Sequence, residues 1–378
     1  MRKKLAIIGA SYLQKPLVEK CKELGVYSIC FAWADGAVCK DLCDKFYPIS
    51  TIDKDAILKA CQEERINGIT TIASDVATLT VNYVAEMMGL IGNPDKYSQT
   101  ATNKYVMRQC FMEHNVPSPK FCLTEGQIPE IINSFTYPII VKPTDRSGSR
   151  GVEKVMRIEN LQEAIDRACK ESFQQKAVIE EFVEGREISV ESISFKGKHY
   201  ILQITDKVTT EAPFFVELEH HQPSSLPEDI KNKVKAIVLN ALEALHIQYG
   251  ASHSELKITK DGNIRVIEIG ARMGGDFIGS DLVNLSTGYD FLKGVIDVAF
   301  GEFEEPKLLE NKFSGVYFLC EETKNILPII QNAKNYPEIV RAEVTDPVLR
   351  KIEQSADRSG YFIYQDNHKV SLQEDFKL

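Results

Sequence analysis

No apolar run in this chain of 378 residues is long enough to span a bilayer. The opening Met1-Arg-Lys-Lys, followed by Leu5 to Leu13, imitates a short secretory signal. Its apolar core is only Leu5-Ala-Ile-Ile-Gly9, and Lys15 interrupts any extension, so it reads as a buried first strand and its loop. The nine cysteines form no Cys-x-x-Cys pair. Cys39 and Cys43 are the closest, and no histidine lies near them to complete a zinc site. An odd count without a framework points to reduced thiols in the cytoplasm. Positive charge is not in excess either. A net charge of −9 argues against a general nucleic-acid binder but leaves room for a local basic pocket that holds a polyphosphate. Gly9-Ala10-Ser11 lacks the second and third glycines of the dinucleotide fingerprint, which argues against a nicotinamide cofactor. There is no internal repeat and no low-complexity tract.

What is present first is an alternation of strand and helix signals over residues 1 to about 95, the mark of a parallel sheet. Strands are expected at Leu5–Ile8, Tyr27–Ala32 and Gly68–Ala73. Helices are expected from Pro16 to Gly25, around Ile57, Leu58 and Cys61, and from Val76 to Met88. The loops of this sheet, including Ser11 and Asp75, can line a substrate crevice. Pro94 breaks the pattern. Lys104–Asn115 is helical, and Val116-Pro-Ser-Pro119 marks a boundary. Later come a helix over Leu161–Cys169, a long amphipathic helix from Pro227 to Leu245, and a helix over Tyr289–Phe300. From about residue 306 short β runs dominate, and no cluster of chemistry-bearing residues is visible.

The most informative stretch is His253 to Gly275. Two β-branched-rich runs, Leu256–Ile258 and Ile264–Ile269, flank the turn Lys260-Asp-Gly-Asn263. Each strand carries one glutamate in apolar company, Glu255 and Glu268. Folding the hairpin back brings the two carboxylates onto neighbouring strands, where they repel unless a cation lies between them. Mg²⁺ suits one or two carboxylates plus phosphate oxygens. Arg272, four residues on, can hold a transferring phosphoryl group. The bland alternative is an ordinary hairpin with two solvated glutamates.

Other stretches add to this. Ile139-Ile-Val-Lys-Pro143 is a strand whose Lys142 is either an edge residue or an anion ligand. Asp145-Arg-Ser-Gly-Ser-Arg-Gly151 follows, where small residues let backbone N–H groups approach phosphates; a plain flexible turn competes. Ala177 to Glu191 reads as a strand into Glu180, a connection past Gly185, and a second strand from near Glu187. Backbone around Phe182 and Val183 suits an adenine edge and Glu187 suits ribose hydroxyls, or the stretch is a charged bend. Glu217 and His220 precede a proline-bounded loop ending at Pro223. Asp276 follows Gly274-Gly275, where it can meet a substrate ammonium or cap a helix.

In this order and at this spacing, the pieces resemble the ATP-grasp superfamily. The resemblance implies an α/β and α+β chain. It has an N-terminal parallel α/β domain (1–95), a linker helix (96–115), small and large grasp subdomains (116–186 and 187–305) and a small C-terminal β-rich module (306–378). It implies ATP held by Lys104, Lys142, the loop residues Ser147, Gly148, Ser149, Arg150 and Gly151, the hinge residues Glu180, Phe182 and Val183, and Glu187. Glu255 and Glu268 match the metal ligands for Mg²⁺, with Mn²⁺ as a substitute, and Arg272 the catalytic arginine beside the γ-phosphate. Within the superfamily the chain looks most like ligases that join a carboxylate to an amine, with Glu217-x-x-His220-x-x-Pro223 similar to their substrate loop and Arg272-Met-Gly-Gly275 to their arginine–glycine turn. Many relatives carry Asn two residues after the second metal glutamate; here that residue is Gly270. The expected substrates are a small carboxylate and an amine, without nucleic acid or membrane, in a homodimer such as relatives often form. Rival readings are an enzyme forming carboxyphosphate or carbamoyl phosphate, and a non-catalytic ATP-binding protein.

Overall fold

A computed structural model describes residues 2–148, 150–210 and 214–376. Its first strands are β1 (Lys4–Ile8), β2 (Tyr27–Phe31), β3 (Lys45–Tyr47) and β4 (Gly68–Thr70), paired in parallel in the order β3-β2-β1-β4. Helices α1 (Lys15–Glu23), α2 (Lys54–Glu64) and α3 (Asp75–Met88) connect or follow them. Their ends obey local rules. Pro16 opens α1, Asp53 caps α2 through the Ala56 N–H, and Gly89, at φ 64°, closes α3. β3 is the strand that the sequence does not announce; it is short and lies at the sheet's edge. Helix α4 (Lys104–Glu113) then leads into a second sheet.

That sheet is small and antiparallel. It holds β5 (Phe121–Thr124), β6 (Ile139–Pro143), β7 (Glu153–Val155) and β8 (Ala177–Glu181) in the order β5-β8-β6-β7, with α5 (Leu161–Glu171) packed on it. The third sheet is the largest. It comprises β9 (Arg186–Phe195), β10 (Lys198–Thr209), β11 (Glu217–Gln222), β12 (Gly250–Ile258), β13 (Ile264–Gly270), β14 (Phe313–Leu319), β15 (Ile339–Val344) and β16 (Gly360–Asp366). Its eight strands run in the order β13-β12-β9-β10-β11-β14-β16-β15. The C-terminal β runs therefore extend the sheet that carries Glu255 and Glu268.

Alternation divides this sheet into two unlike faces. Ile188, Val190, Ile204, Leu256 and Val266 point one way, onto α6 (Glu228–Ala244) and its Val234, Val238, Ala241 and Leu242. On the other face the register sets Glu191 beside His253, Glu255 beside Glu268, and Lys207 beside His220. After a π-helical turn at Ile278–Leu282 come α7 (Val283–Thr287) and α8 (Phe291–Phe300). Helix α8 packs Phe291, Val295 and Val298 into a core shared by the first sheet and by Ile193 and Ala251 of the third, so the N-terminal sheet is seated on the large one. Among the described residues no helix is long and apolar enough to cross a membrane.

Glu64, at the end of α2, ties the first sheet's edge together. Its carboxylate accepts from Lys4 Nζ (2.9 Å), from Tyr47 Oη (2.8 Å) and from Lys45. These bonds hold its pKa down at about 2. The folded state thus binds that proton more weakly than the unfolded chain. Its contribution is complete above about pH 4.5 and fades as pH falls toward 2. In urea titrations the wild type should lose an increment of stability across this window. Glu64→Gln should lack that increment and match the acid-titrated wild type at low pH.

Candidate functional site

The site begins with the hairpin. Glu255 on β12 and Glu268 on β13 lie on neighbouring strands, as the turn at 260–263 led one to expect, and are direct cross-strand partners. A β-bulge between Glu255 and Leu256 adds Ile267 to β13 and brings the two carboxylates onto the same face. Each carboxylate meets a lysine. Glu268 accepts from Lys104 Nζ at 2.8 Å, and Glu255 accepts from Lys207 Nζ at 2.7 Å. Lys104 also donates to the Arg146 carbonyl at 2.6 Å, which joins it to the loop after β6. Glu268, Lys104, Asp75, Arg146, Ser147 and Gln174 line a cavity of about 150 Å³. As hard oxygen donors on one face, Glu255 and Glu268 suit Mg²⁺. Two carboxylates leave further coordination positions for phosphate or water, and no group of three metal-ligating side chains occurs among the described residues.

Lys207 escaped the sequence reading. It is buried, and it contacts Glu187 (3.0 Å) and Glu217 (3.4 Å) as well as Glu255. Burial would lower its pKa, yet Glu255, Glu187 and Glu217 hold it well above the ordinary lysine value. Glu187, expected at a ribose, is thereby also tied to Lys207, with Lys257 at 3.7 Å.

Several expected roles change in the fold. Lys142 is no edge residue, because β6 lies between β8 and β7. Its ammonium is buried against Glu180 at 2.9 Å, and burial lowers its pKa. Glu180 also pairs with the fully buried Arg108 at 2.9 Å, so its carboxylate braces α4 and β6 from within. The Arg108 fork reaches on to the Ile267 carbonyl at 2.5 Å, at the bulge. The Phe182 N–H donates to the Pro138 carbonyl, and its ring lies under Lys154 at 3.8 Å. Val183 follows it in the connection to β9. In the loop, Gly148 (φ 67°) and Gly151 (φ 69°) adopt backbone that only glycine takes without strain. Arg150 donates back to the Ser147 carbonyl, while Ser149 lies outside the described residues. The Ser11 hydroxyl is committed to Gln14.

His220 and Glu217 are not in a loop. They sit on β11, inside the large sheet, and His220 is buried. Burial, reinforced by Lys207, pushes its pKa well below the ordinary value, so the ring is neutral. Asp276 caps no helix; it pairs with Arg358 at 2.8 Å. The glycine pair has a packing reason. A Cβ at Gly274 would come 2.8 Å from His253 Nδ1 and 2.9 Å from Glu191 Oε2, and one at Gly275 would crowd Ala73. The Gly274 N–H turns inward, to the buried Glu191 at 3.3 Å. Glu191 also holds His253 at 2.5 Å, and its charge outweighs burial to raise that imidazole to about 9.

Arg272 is the joint with the N-terminal domain. Its Nε and Nη2 donate to the two oxygens of Asp75 at 2.8 and 3.1 Å, a bidentate pair at the start of α3. Burial would raise the Asp75 carboxyl, but the guanidinium overrides it and holds the pKa below the ordinary carboxylate value. Met273 continues the contact by bridging Ile72. The pair also accounts for Gly270, because a Cβ there would lie 2.4 Å from Asp75 Oδ1. Asp75→Ala should cost about 2 kcal/mol by leaving the partly buried Arg272 without its counter-charge. Gly270→Asn should displace the same carboxylate and lose stability in the same direction. Urea denaturation reads both as a lower midpoint at unchanged slope.

Residues 135–281 match the ATP-grasp domain family. Alanine–anticapsin ligase of Bacillus subtilis is 27% identical over 243 residues, covering 58% of this chain and 51% of that protein. The chain therefore spans about half the length of such curated relatives. The crystal structure of L-amino acid ligase from Bacillus licheniformis superposes with a TM-score of 0.79 at 23% identity, covering 97% of this chain and 95% of that one. N5-carboxyaminoimidazole synthetase from Staphylococcus aureus, complexed with ADP, gives 0.80 at 15% identity over 100% and 97% of the two chains. With the cross-strand carboxylates, the loop after β6 and the two flanking sheets in these places, the chain carries an ATP-grasp domain within an ATP-grasp fold.

Proposed function

We propose that the chain is an ATP-dependent carboxylate–amine ligase that works through an acyl phosphate and releases ADP and phosphate, with amino acids or small peptides as substrates. The observation that carries this reading is the pairing of Glu255 with Glu268 on one sheet face, with Lys104 against one carboxylate and Lys207 against the other. A carboxylate is a poor electrophile because its leaving group would be oxide. Transfer of the γ-phosphoryl group to it, with ADP leaving, creates an acyl phosphate. An amine then attacks the acyl carbon and phosphate departs.

The first step brings an anion up to a polyanion, so positive charge governs its barrier. Glu255 and Glu268 would hold the Mg²⁺ that neutralises phosphate oxygens. Lys104, already bonded to Glu268 and to the loop carbonyl of Arg146, would meet the phosphates from the cavity side. Lys142 adds a second buried positive charge on the strand that leads into that loop. Arg272 would face the γ-phosphoryl group, its guanidinium plane fixed in advance by Asp75. The loop over residues 145–151 would close over the acyl phosphate and keep water out, and Gly148 and Gly151 give it the backbone freedom to do so.

Phosphate release with ATP, Mg²⁺ and a matrix of amino acids, followed by mass spectrometry of the product, tests the proposal. Arg272→Ala and Glu268→Gln should each lower amino-acid-dependent ADP release by about 100-fold or more. Near-wild-type turnover in either variant refutes the role given to that residue. Bicarbonate-stimulated ADP release without an amino acid would instead favour a carboxyphosphate-forming enzyme. ATP binding without turnover across the whole matrix would favour a nucleotide-binding protein.

A further inference from the structure

The charged face of the large sheet ends at a buried acid–imidazole pair. Along β12 and β9 the register sets Glu255 beside Ser189, His253 beside Glu191, and Ala251 beside Ile193. The last of these ranks already belongs to the core shared with the N-terminal sheet. Glu191 is 0% exposed and His253 6%. Both oxygens of Glu191 accept. Its Oε1 takes His253 Nδ1 at 2.5 Å and the Ser189 hydroxyl at 3.3 Å, and its Oε2 takes the Gly274 N–H at 3.3 Å. The far edge of the imidazole turns toward the hairpin glutamates, with Nε2 at 3.4 Å from Glu255 Oε1.

Three observations single out this pair. Stability alone does not account for it. An apolar pair would continue the core of the next rank, and a buried ionic pair is seldom worth more than apolar residues of the same volume. Second, the contacts of Glu255 are one-sided. Its Oε1 lies between His253 Nε2 and Lys207 Nζ, whereas among the described residues its Oε2 accepts no hydrogen bond. The carboxylate is thus held by one oxygen and open at the other. Third, the turn after Arg272 closes directly on the pair. The Gly274 N–H is one of the bonds to Glu191, and a Cβ at Gly274 would come 2.8 Å from His253 Nδ1 and 2.9 Å from Glu191 Oε2.

We infer that Glu191 is a positioning residue for metal binding, which sets the carboxylate of Glu255 through His253 and ties the turn after Arg272 to the same buried group. The inference rests on the reading of Glu255 as a ligand of Mg²⁺. Glu191 does not touch the metal. It fixes the plane of the imidazole, and the imidazole edge backs Glu255 Oε1 so that Oε2 is presented to the cation. Outer groups that orient a metal's ligands in this way typically account for about 10- to 100-fold in metal affinity. One carboxylate at the edge of the core thereby keeps the metal ligand and the arginine–glycine turn in register with each other.

Isothermal titration of the full chain with a non-hydrolysable ATP analogue, once with Mn²⁺ and once with EDTA, tests this without turnover. The ratio of the two affinities is the gain that the metal confers. Glu191→Gln, which keeps the shape of the side chain, should lower that gain about tenfold or more relative to wild type while leaving affinity in EDTA within about twofold. His253→Gln should do the same, so the test does not hang on the folding of one variant. Gly274→Ala should act in the same direction by pushing the pair aside, and Glu191→Asp, one methylene short, should recover part of the gain. The double variant Glu191→Gln with His253→Gln should cost little more than the larger single loss, because the two act as a unit. Folded Glu191→Gln and His253→Gln that keep the wild-type gain, whatever their urea midpoints, overturn the inference and leave a merely structural pair. An equal loss of affinity in EDTA overturns it as well. Glu255→Gln separates the reading beneath. If it keeps the gain, the metal assignment falls and the inference with it; if it loses the gain while Glu191→Gln and His253→Gln keep it, only the inference falls.

Discussion

Two glutamates side by side on adjacent strands are a liability that the rest of the molecule is arranged to balance. Glu255 and Glu268 share a sheet face, and each has a lysine within 2.8 Å. Those lysines come from distant parts of the chain, Lys104 at the start of α4 and Lys207 on β10. The opposite face of the same strands is apolar and packs on α6. One sheet therefore keeps two unlike demands apart. Burial on one side supplies stability, and concentrated charge on the other supplies chemistry.

Buried ion pairs also join the three sheets, and removing one partner from such a pair is expensive. Arg108 and Lys142 converge on Glu180 between α4 and the small sheet. Arg272 and Asp75 join the large sheet to α3 of the N-terminal domain. Lys207 gathers carboxylates from β9, β11 and β12. These connections keep mutually repelling groups at fixed separations.

The local rules were legible in the residues. Pro16, Gly89 and the Asp261-Gly262 turn mark ends that the structure respects, and the hairpin puts its glutamates on neighbouring strands, although a bulge and not the hairpin's length makes them direct partners. What sequence reading missed depends on strand order. Glu217 and His220 looked like loop residues because a proline follows closely, whereas pairing with β10 and β14 puts them inside a sheet. The ion pairs of Glu180 were not visible because its partners, Arg108 and Lys142, lie 72 and 38 positions earlier in the chain. Lys207 and Arg358 carried no motif, and their roles exist only once β10 and β16 take their places. Gly270 looked like a lost ligand, and only the position of Asp75 shows why a side chain has no room there.

The bulge in β13 reaches beyond local geometry. Ile264 and Val266 face the α6 core from even-numbered positions, but Ile269 faces it from an odd one. The inserted Ile267 changes the phase, and the carbonyl it displaces from the ladder receives Arg108. Without the bulge, regular alternation from Val266 through Ile267 would turn Glu268 toward the α6 core and Ile269 toward the charged face. The facing of Glu268 thus depends on one break in the ladder, and a register slip that erased it would exchange the two faces of the strand from there on to the arginine.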